Sequence, residues 1–159
     1  ILVGREDIIR AFTNANTIVS LACGTLGPAL AKALFDTGEI LTISRDTVRP
    51  FYQQRAQQAV AWFREDLAGL PCHIHKPEGA IFLWLWFEGL PISSTELYQR
   101  LKQRGVLVVP GEDFFIGIDE HWPHRHECLR VSYAQDSARV RDGVRLIAEE
   151  ARRAYELDA

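Results

Sequence analysis

Apolar residues fall at every third or fourth position along the longer stretches of the chain. Along the shorter ones they fall at every second position, and the two periods predict helices and strands. Ile8 and Phe12 share one face of a first helix, from Arg5 to about Thr17, with Glu6 and Asp7 in the first turn where carboxylates meet the positive end of the helix dipole. Leu30, Ala31, Leu34 and Phe35 mark a second helix, opened by Pro28 and stopped at Gly38. The longest stripe is Tyr52, Ala56, Ala59, Val60, Phe63 and Leu67. It predicts one helix from about Asp46 to Leu67, beginning close to Pro50 or kinked there, because proline has no amide hydrogen to give. Gly69 and Pro71 end it.

From Cys72 onward the pattern becomes that of a compact α+β unit. A short strand over Cys72–Lys76 is followed by the turn Pro77-Glu78-Gly79. Ala80 to Phe87 is apolar on both faces, which predicts a central strand covered on both sides. Ser93-Ser94-Thr95-Glu96 fits a capping box, and the helix it opens runs through Leu97 and Leu101 to a stop at Gly105. Val106–Val109 reads as a strand ended by Pro110-Gly111. Residues 112–127 read as irregular, with Phe114 and Phe115 as aromatic anchors. In Cys128–Ala134, Leu129, Val131 and Tyr133 alternate with Arg130, Ser132 and Ala134, a strand with one charge planted in it. Asp136 is a good N-cap for a last helix whose stripe is Val140, Val144, Ile147, Ala151 and Tyr155.

Composition narrows the class. At 159 residues, 47% apolar and 25% charged, the chain can bury a proper core and is neither disordered nor membranous. A net charge of −3 with scattered Lys and Arg offers no field to draw in nucleic acid. The longest apolar run, Ala80–Phe87, is strand-length and no membrane span. Three widely spaced Cys argue against a disulfide framework and for a reducing cytoplasm. The chain has no Met and begins Ile1-Leu2-Val3-Gly4, which reads as a core strand cut from what precedes it and predicts a piece of a longer protein.

Several residues could carry chemistry. A guanidinium in an apolar strand needs a partner, so Arg130 pairs either with an Asp or Glu of the fold or with a ligand carboxylate or phosphate. His121, His124, His126 and Cys128 are zinc-ligand types, with His73 and His75 able to join them. Four ligands within eight residues are cramped for one ion, and a polar loop beside a functional surface is the other reading. Gly24 and Gly27 before a helix could present amides to an anion or simply make the helix-entry turn. Lys32, Lys76 and Lys102 are all in solvent-facing settings and none suits a Schiff base. No nucleophile elbow or phosphate loop is present.

Three stretches in order carry a family resemblance: KPEGAIFLW (Lys76–Trp84), GVLVVPG-x-x-F (Gly105–Phe114) and LRVSYA (Leu129–Ala134), followed by the capped last helix. Together they resemble the C-terminal part of the class I/II aminotransferases, the fold-type I pyridoxal-phosphate enzymes, over essentially the whole chain. The resemblance implies an α/β fold with an α+β small domain. Residues 1–45 would be the tail of the large cofactor-binding domain, 46–71 a long interdomain helix and 72–159 the small C-terminal domain. Arg130 matches the Arg that grips the substrate α-carboxylate. Gly24 and Thr25 would lie near the cofactor phosphate or a dimer contact. The family's Schiff-base Lys, the acid that partners the cofactor ring and most phosphate ligands would precede Ile1. The resemblance therefore implies no catalytic residue in this chain, no bound pyridoxal phosphate and no transamination by this chain alone.

The wider wording, IHKPEGAIFLWLWFEGLPI with VPGEDFF, narrows the resemblance to members that pass the amino group between valine or alanine and 2-oxo acids. For the intact protein it implies a cytoplasmic homodimer in amino-acid biosynthesis, acting on small amino acids and 2-oxo acids, with no nucleic-acid or membrane partner. Two other readings stand beside it. One is a metal-binding module built on the His/Cys cluster. The other is a non-catalytic binding domain in which Trp84 and Trp86 face a partner groove, which requires a large exposed apolar patch.

Overall fold

The computed structural model describes residues 3–19, 24–118 and 122–156, in two units, Ile1–Ile43 and Ser44–Ala159. The first unit holds helices α1 (Glu6–Val19), α2 (Leu26–Asp36) and α3 (Glu39–Ile43). Glu6 and Asp7 do occupy the first turn of α1, and Arg10 reaches back one turn to Glu6 at 2.6 Å. Pro28 lies in the first turn of α2. Past the end of that helix, Gly38 takes φ 73°, a left-handed value that suits glycine. Val3 is exposed and lies in no strand, so the strand expected over Ile1–Val3 is not found at the residue that can be checked; Ile1 and Leu2 lie outside the described residues.

The second unit begins with a π-helical turn, Ser44–Val48, that leads into α4 (Arg49–Asp66). The single helix expected from Asp46 is thus interrupted before Pro50. That residue falls in the first turn of α4, where an amide hydrogen is not needed. Ala56, Ala59, Phe63 and Leu67 of the predicted stripe are buried, and Tyr52 and Val60 are half-buried beside them.

An antiparallel sheet follows, in the order β1-β2-β4-β3, with β1 Cys72–Ile74, β2 Phe82–Phe87, β3 Val109–Pro110 and β4 Cys128–Ser132. Helix α5 (Ser94–Gln103) connects β2 to β3, and α6 (Ser137–Glu156) closes the chain. Leu83, Leu85, Phe87, Leu129, Val131 and Tyr133 lie on the sheet face that meets Phe63, Leu97, Leu101, Val144, Ile147 and Ala151 of the helices. Each Val, Leu, Ile or Phe among them contributes roughly 1.5–3 kcal/mol through burial. Asp136 caps α6 through its Oδ1, which accepts from the Ala138 and Arg139 amides at 3.0 and 3.1 Å. Arg104 at the end of α5 pairs with Glu149 and the buried Glu150 of α6 at 2.5 and 2.7 Å.

Two expectations change here. Val106–Val109 is mostly not a strand: only Val109 and Pro110 join the ladder, opposite Arg130 and Leu129, and Leu107 is exposed. This is the sheet's edge, where proline is tolerated because one side needs no ladder amide. The capping box is half formed. Ser93 Oγ accepts from the Glu96 amide at 3.1 Å, but the Glu96 carboxylate turns to Arg100. The expectation for β2 holds: it is central and covered on both faces, one of them by helices. The other is covered by residues 111–118 and 122–126, which include two 3₁₀ turns, Gly111–Phe114 and Pro123–His126.

Candidate functional site

The alternation in β4 sends Leu129 and Val131 into the core and Arg130 to the opposite face. The register there sets Trp84 of β2 directly opposite Arg130, with Phe82 one diagonal step away and Val109 of β3 on the other side. The guanidinium carbon lies 4.3 Å from the centroid of the Phe82 ring and 4.8 Å from that of Phe114. Among the described residues no carboxylate pairs with Arg130, and its buried Nε has no hydrogen-bond partner. Of the two partners the strand pattern left open, the internal ion pair is absent among these residues. A buried donor left unsatisfied costs about 1–3 kcal/mol. Contacts with ring faces return about 0.5–2 kcal/mol each and supply no acceptor. Phe82 and Phe114 are 36% and 44% exposed, so this cluster opens to the surface and an anion can reach it. A planar fork with free N–H groups suits a carboxylate.

Gly111 explains how Phe114 reaches Arg130. A Cβ there would stand 2.6 Å from Cys128 Cβ and 2.9 Å from the Cys128 carbonyl oxygen, so the turn after Val-Pro lies directly against β4. Glu112 then fixes that turn. Its Oε1 accepts from Ser94 Oγ at 3.2 Å and the Thr95 amide at 3.3 Å, and lies 3.3 Å from His126 Nδ1. Burial pushes the Glu112 carboxyl up, but the bonds to His126 and Thr95 outweigh it and hold the group below its usual range. Tyr133 donates its hydroxyl to the Ala80 carbonyl at 2.8 Å and anchors the turn that precedes Phe82.

Two predictions arise here. Gly111→Ala destabilises the protein by about 1–3 kcal/mol, because backbone and a buried strand must give way; urea unfolding of the variant reads this directly. The second concerns pH. A carboxyl held low in the folded state stabilises it above the unfolded value of 4.5, and that contribution is lost as pH falls through the lower folded value. Glu112→Gln therefore flattens the acid limb of the stability profile below about pH 4.5. Urea midpoints measured from neutral pH down through that window check it, and parallel acid limbs would contradict it.

The other singled-out residues go elsewhere. His124 stacks among Trp86, Trp122 and Phe115, with Nε2 3.5 Å from Cys128 Sγ. His126 turns away to Glu112, and His73 stacks on Trp86 and pairs with Glu88 at 3.0 Å. His121 lies outside the described residues, among which no group of three His, Cys, Asp or Glu side chains is placed to hold a metal ion. Burial pushes the Cys72 thiol up to about 12 and that of Cys128 to about 11, so both are protonated and unreactive at neutral pH.

Trp84 meets Phe114 and Phe115 edge-on, and Trp86 donates to Glu127 at 2.8 Å. Both indoles are half-buried against Phe114, Phe115 and His124, and neither stands open to a partner as the binding-domain reading expects. Gly24 is exposed with open space around it, and Thr25 stands before α2 with no side-chain capping bond. Cys23, the residue before Gly24, lies outside the described residues. The roles of Phe82, Phe114, Glu112 and Glu127 are absent from the strand pattern, because each depends on a partner far away in the chain.

No family model matches the chain. It is 49% identical over 155 residues to the valine–pyruvate aminotransferase of Escherichia coli (strain K12), which covers 98% of this chain and 37% of the relative. A crystal structure of the valine–pyruvate aminotransferase from Salmonella typhimurium LT2 superposes with a TM-score of 0.83 at 47% identity, covering 97% of this chain and 40% of that one. An α-aminoadipate aminotransferase from Thermus thermophilus, complexed with N-(5'-phosphopyridoxyl)-L-leucine, shares the fold with a TM-score of 0.75 at 24% identity, over 98% of this chain and 38% of that one. The chain thus spans less than half the length of these relatives, and it has the architecture of the C-terminal part of the fold-type I aminotransferases.

Proposed function

We propose that this chain is the part of a pyridoxal-phosphate-dependent aminotransferase that carries the grip on the substrate carboxylate, and that the grip is Arg130. The whole protein would transfer an amino group between valine or alanine and 2-oxo acids. The observation that carries the reading is the Arg130 side chain, ringed by Phe82 and Phe114 and without an anionic partner among the described residues. The 49% identity to a valine–pyruvate aminotransferase supports the reaction class. A bidentate pair with the α-carboxylate contributes binding affinity and selects substrates that carry a carboxylate.

The lysines present do not fit a Schiff base with pyridoxal phosphate. Lys32 pairs with Asp36, Lys76 is exposed and pairs with Glu78, and Lys102 lies 5.9 Å from the Tyr98 ring. No catalytic step is therefore assigned to this chain, and the cofactor chemistry belongs to the rest of the protein. Gly24 and Thr25 are assigned to the surroundings of the cofactor phosphate or of a subunit contact, supported by the open backbone before α2.

Residues 1–45 are read as the tail of the large domain, 46–71 as the connecting helix and 72–159 as the small domain. The whole protein is read as a cytoplasmic homodimer of amino-acid biosynthesis. The net charge of −3 supports the absence of a nucleic-acid partner. No helix among the described residues is long and apolar enough to cross a membrane.

Supplying the whole protein and pyridoxal phosphate with L-valine and pyruvate tests the reading. L-alanine and 2-oxoisovalerate form in equal amounts, and the absence of both would overturn the assignment.

A further inference from the structure

Arginine has a long side chain with many rotamers, and a two-point grip on a carboxylate works only when the guanidinium plane has a fixed heading. In this fold no hydrogen bond among the described residues sets that heading, since Nε has no acceptor and no carboxylate lies alongside. What touches the guanidinium is two aromatic rings, from Phe82 at 4.3 Å and from Phe114 at 4.8 Å. They come from different places. Phe82 opens β2, whereas Phe114 ends the 3₁₀ turn Gly111–Phe114.

That turn is held independently of Arg130. Gly111 abuts Cys128, Glu112 is tied to Ser94, Thr95 and His126, and the Phe114 ring meets Trp84 edge-on at 5.3 Å. The Phe114 ring is thus built into the unit before any ligand arrives, and a cation placed on a ring face is attracted and oriented by it.

We propose that Phe114 is a positioning residue for substrate recognition: with Phe82, its ring fixes the plane of the Arg130 guanidinium so that the outer edge meets the ligand carboxylate. This rests on the reading of Arg130 as the carboxylate grip. A cation–ring contact of this kind orients the group without competing for the N–H donors, which an Asp or Glu in the same place would occupy.

The test uses the whole protein loaded with pyridoxal phosphate. It measures KM and kcat for L-valine with saturating pyruvate, and the inhibition constant of 3-methylbutanoate, which carries the carboxylate but no amine. Phe114→Leu keeps apolar bulk and removes the ring. It raises KM and the inhibition constant together by about 3- to 30-fold, with kcat within about twofold. Phe114→Tyr keeps the ring and stays near the parent values. In an Arg130→Ala background, Phe114→Leu adds no further loss.

Three results would overturn the proposal. Unchanged constants in Phe114→Leu, with raised ones in Arg130→Ala, would remove the role of Phe114 and leave the grip standing. Equal damage from Leu and Tyr would show that packing and not the ring face matters. An unchanged inhibition constant in Arg130→Ala would remove the grip itself.

Discussion

Replacing Arg130 with Ala lowers kcat/KM of the whole protein for L-valine by about 10- to 150-fold, the equivalent of the roughly 1.5–3 kcal/mol that a charge-assisted pair contributes. The loss falls mainly on KM, because the carboxylate is held alike in the ground state and the transition state. A fall in kcat alone would mean that Arg130 acts on the chemistry and not on binding. Arg130→Lys restores only part of the loss. Ammonium is a compact point charge that cannot present two parallel donors, and it fits the faces of Phe82 and Phe114 less well than a planar cation does. Steady-state kinetics on the three proteins read all of this.

Phe63→Ala has the largest expected effect on stability. Phe63 is 1% exposed and sits in the middle of the α4 stripe, packed with the cluster shared by the sheet and α6. Removing its ring costs about 3–5 kcal/mol, the transfer free energy of the side chain plus the cavity that rigid neighbours cannot close. That loss lowers the melting temperature. Thermal unfolding of the whole protein measures it. An unchanged transition would mean that α4 is not part of the core that limits stability. Phe51→Ala, by contrast, removes a side chain that is 49% exposed and shifts the transition little.

Much of the second unit was legible because its signals are local. The stripe of α4, the Ser93 cap, the glycine stop after α5 and the alternation around Arg130 each lie within a few residues of one another, and each appears where the pattern placed it. The failures are non-local. How far β3 extends is decided by where β4 stops pairing with it, and no alternation within Val106–Val109 records that. The second face of β2 was expected to be covered, but the apolar run did not say by what. It is covered by an irregular segment whose aromatic residues could be seen but not placed.

The surroundings of Arg130 failed in the same way. Phe114 is 16 residues away in the chain and Phe82 is 48, and no periodicity links them. One local clue did exist. Val109-Pro110-Gly111 sets a glycine where any Cβ would strike Cys128, and a glycine after a proline at a strand end marks such a close approach. The choice between an internal partner and a ligand for Arg130 could not be made from the strand alone. The fold narrows it, since no carboxylate among the described residues pairs with Arg130.

The most direct test of the carboxylate grip compares L-valine with isobutylamine, which lacks only the carboxylate, as amino donors to pyruvate in the whole protein and in its Arg130→Ala variant. If Arg130 holds the carboxylate, the parent prefers the acid strongly and the variant loses about 10- to 150-fold of that preference, the amine being used equally well by both. An acid-over-amine preference that stays the same in the variant would contradict it.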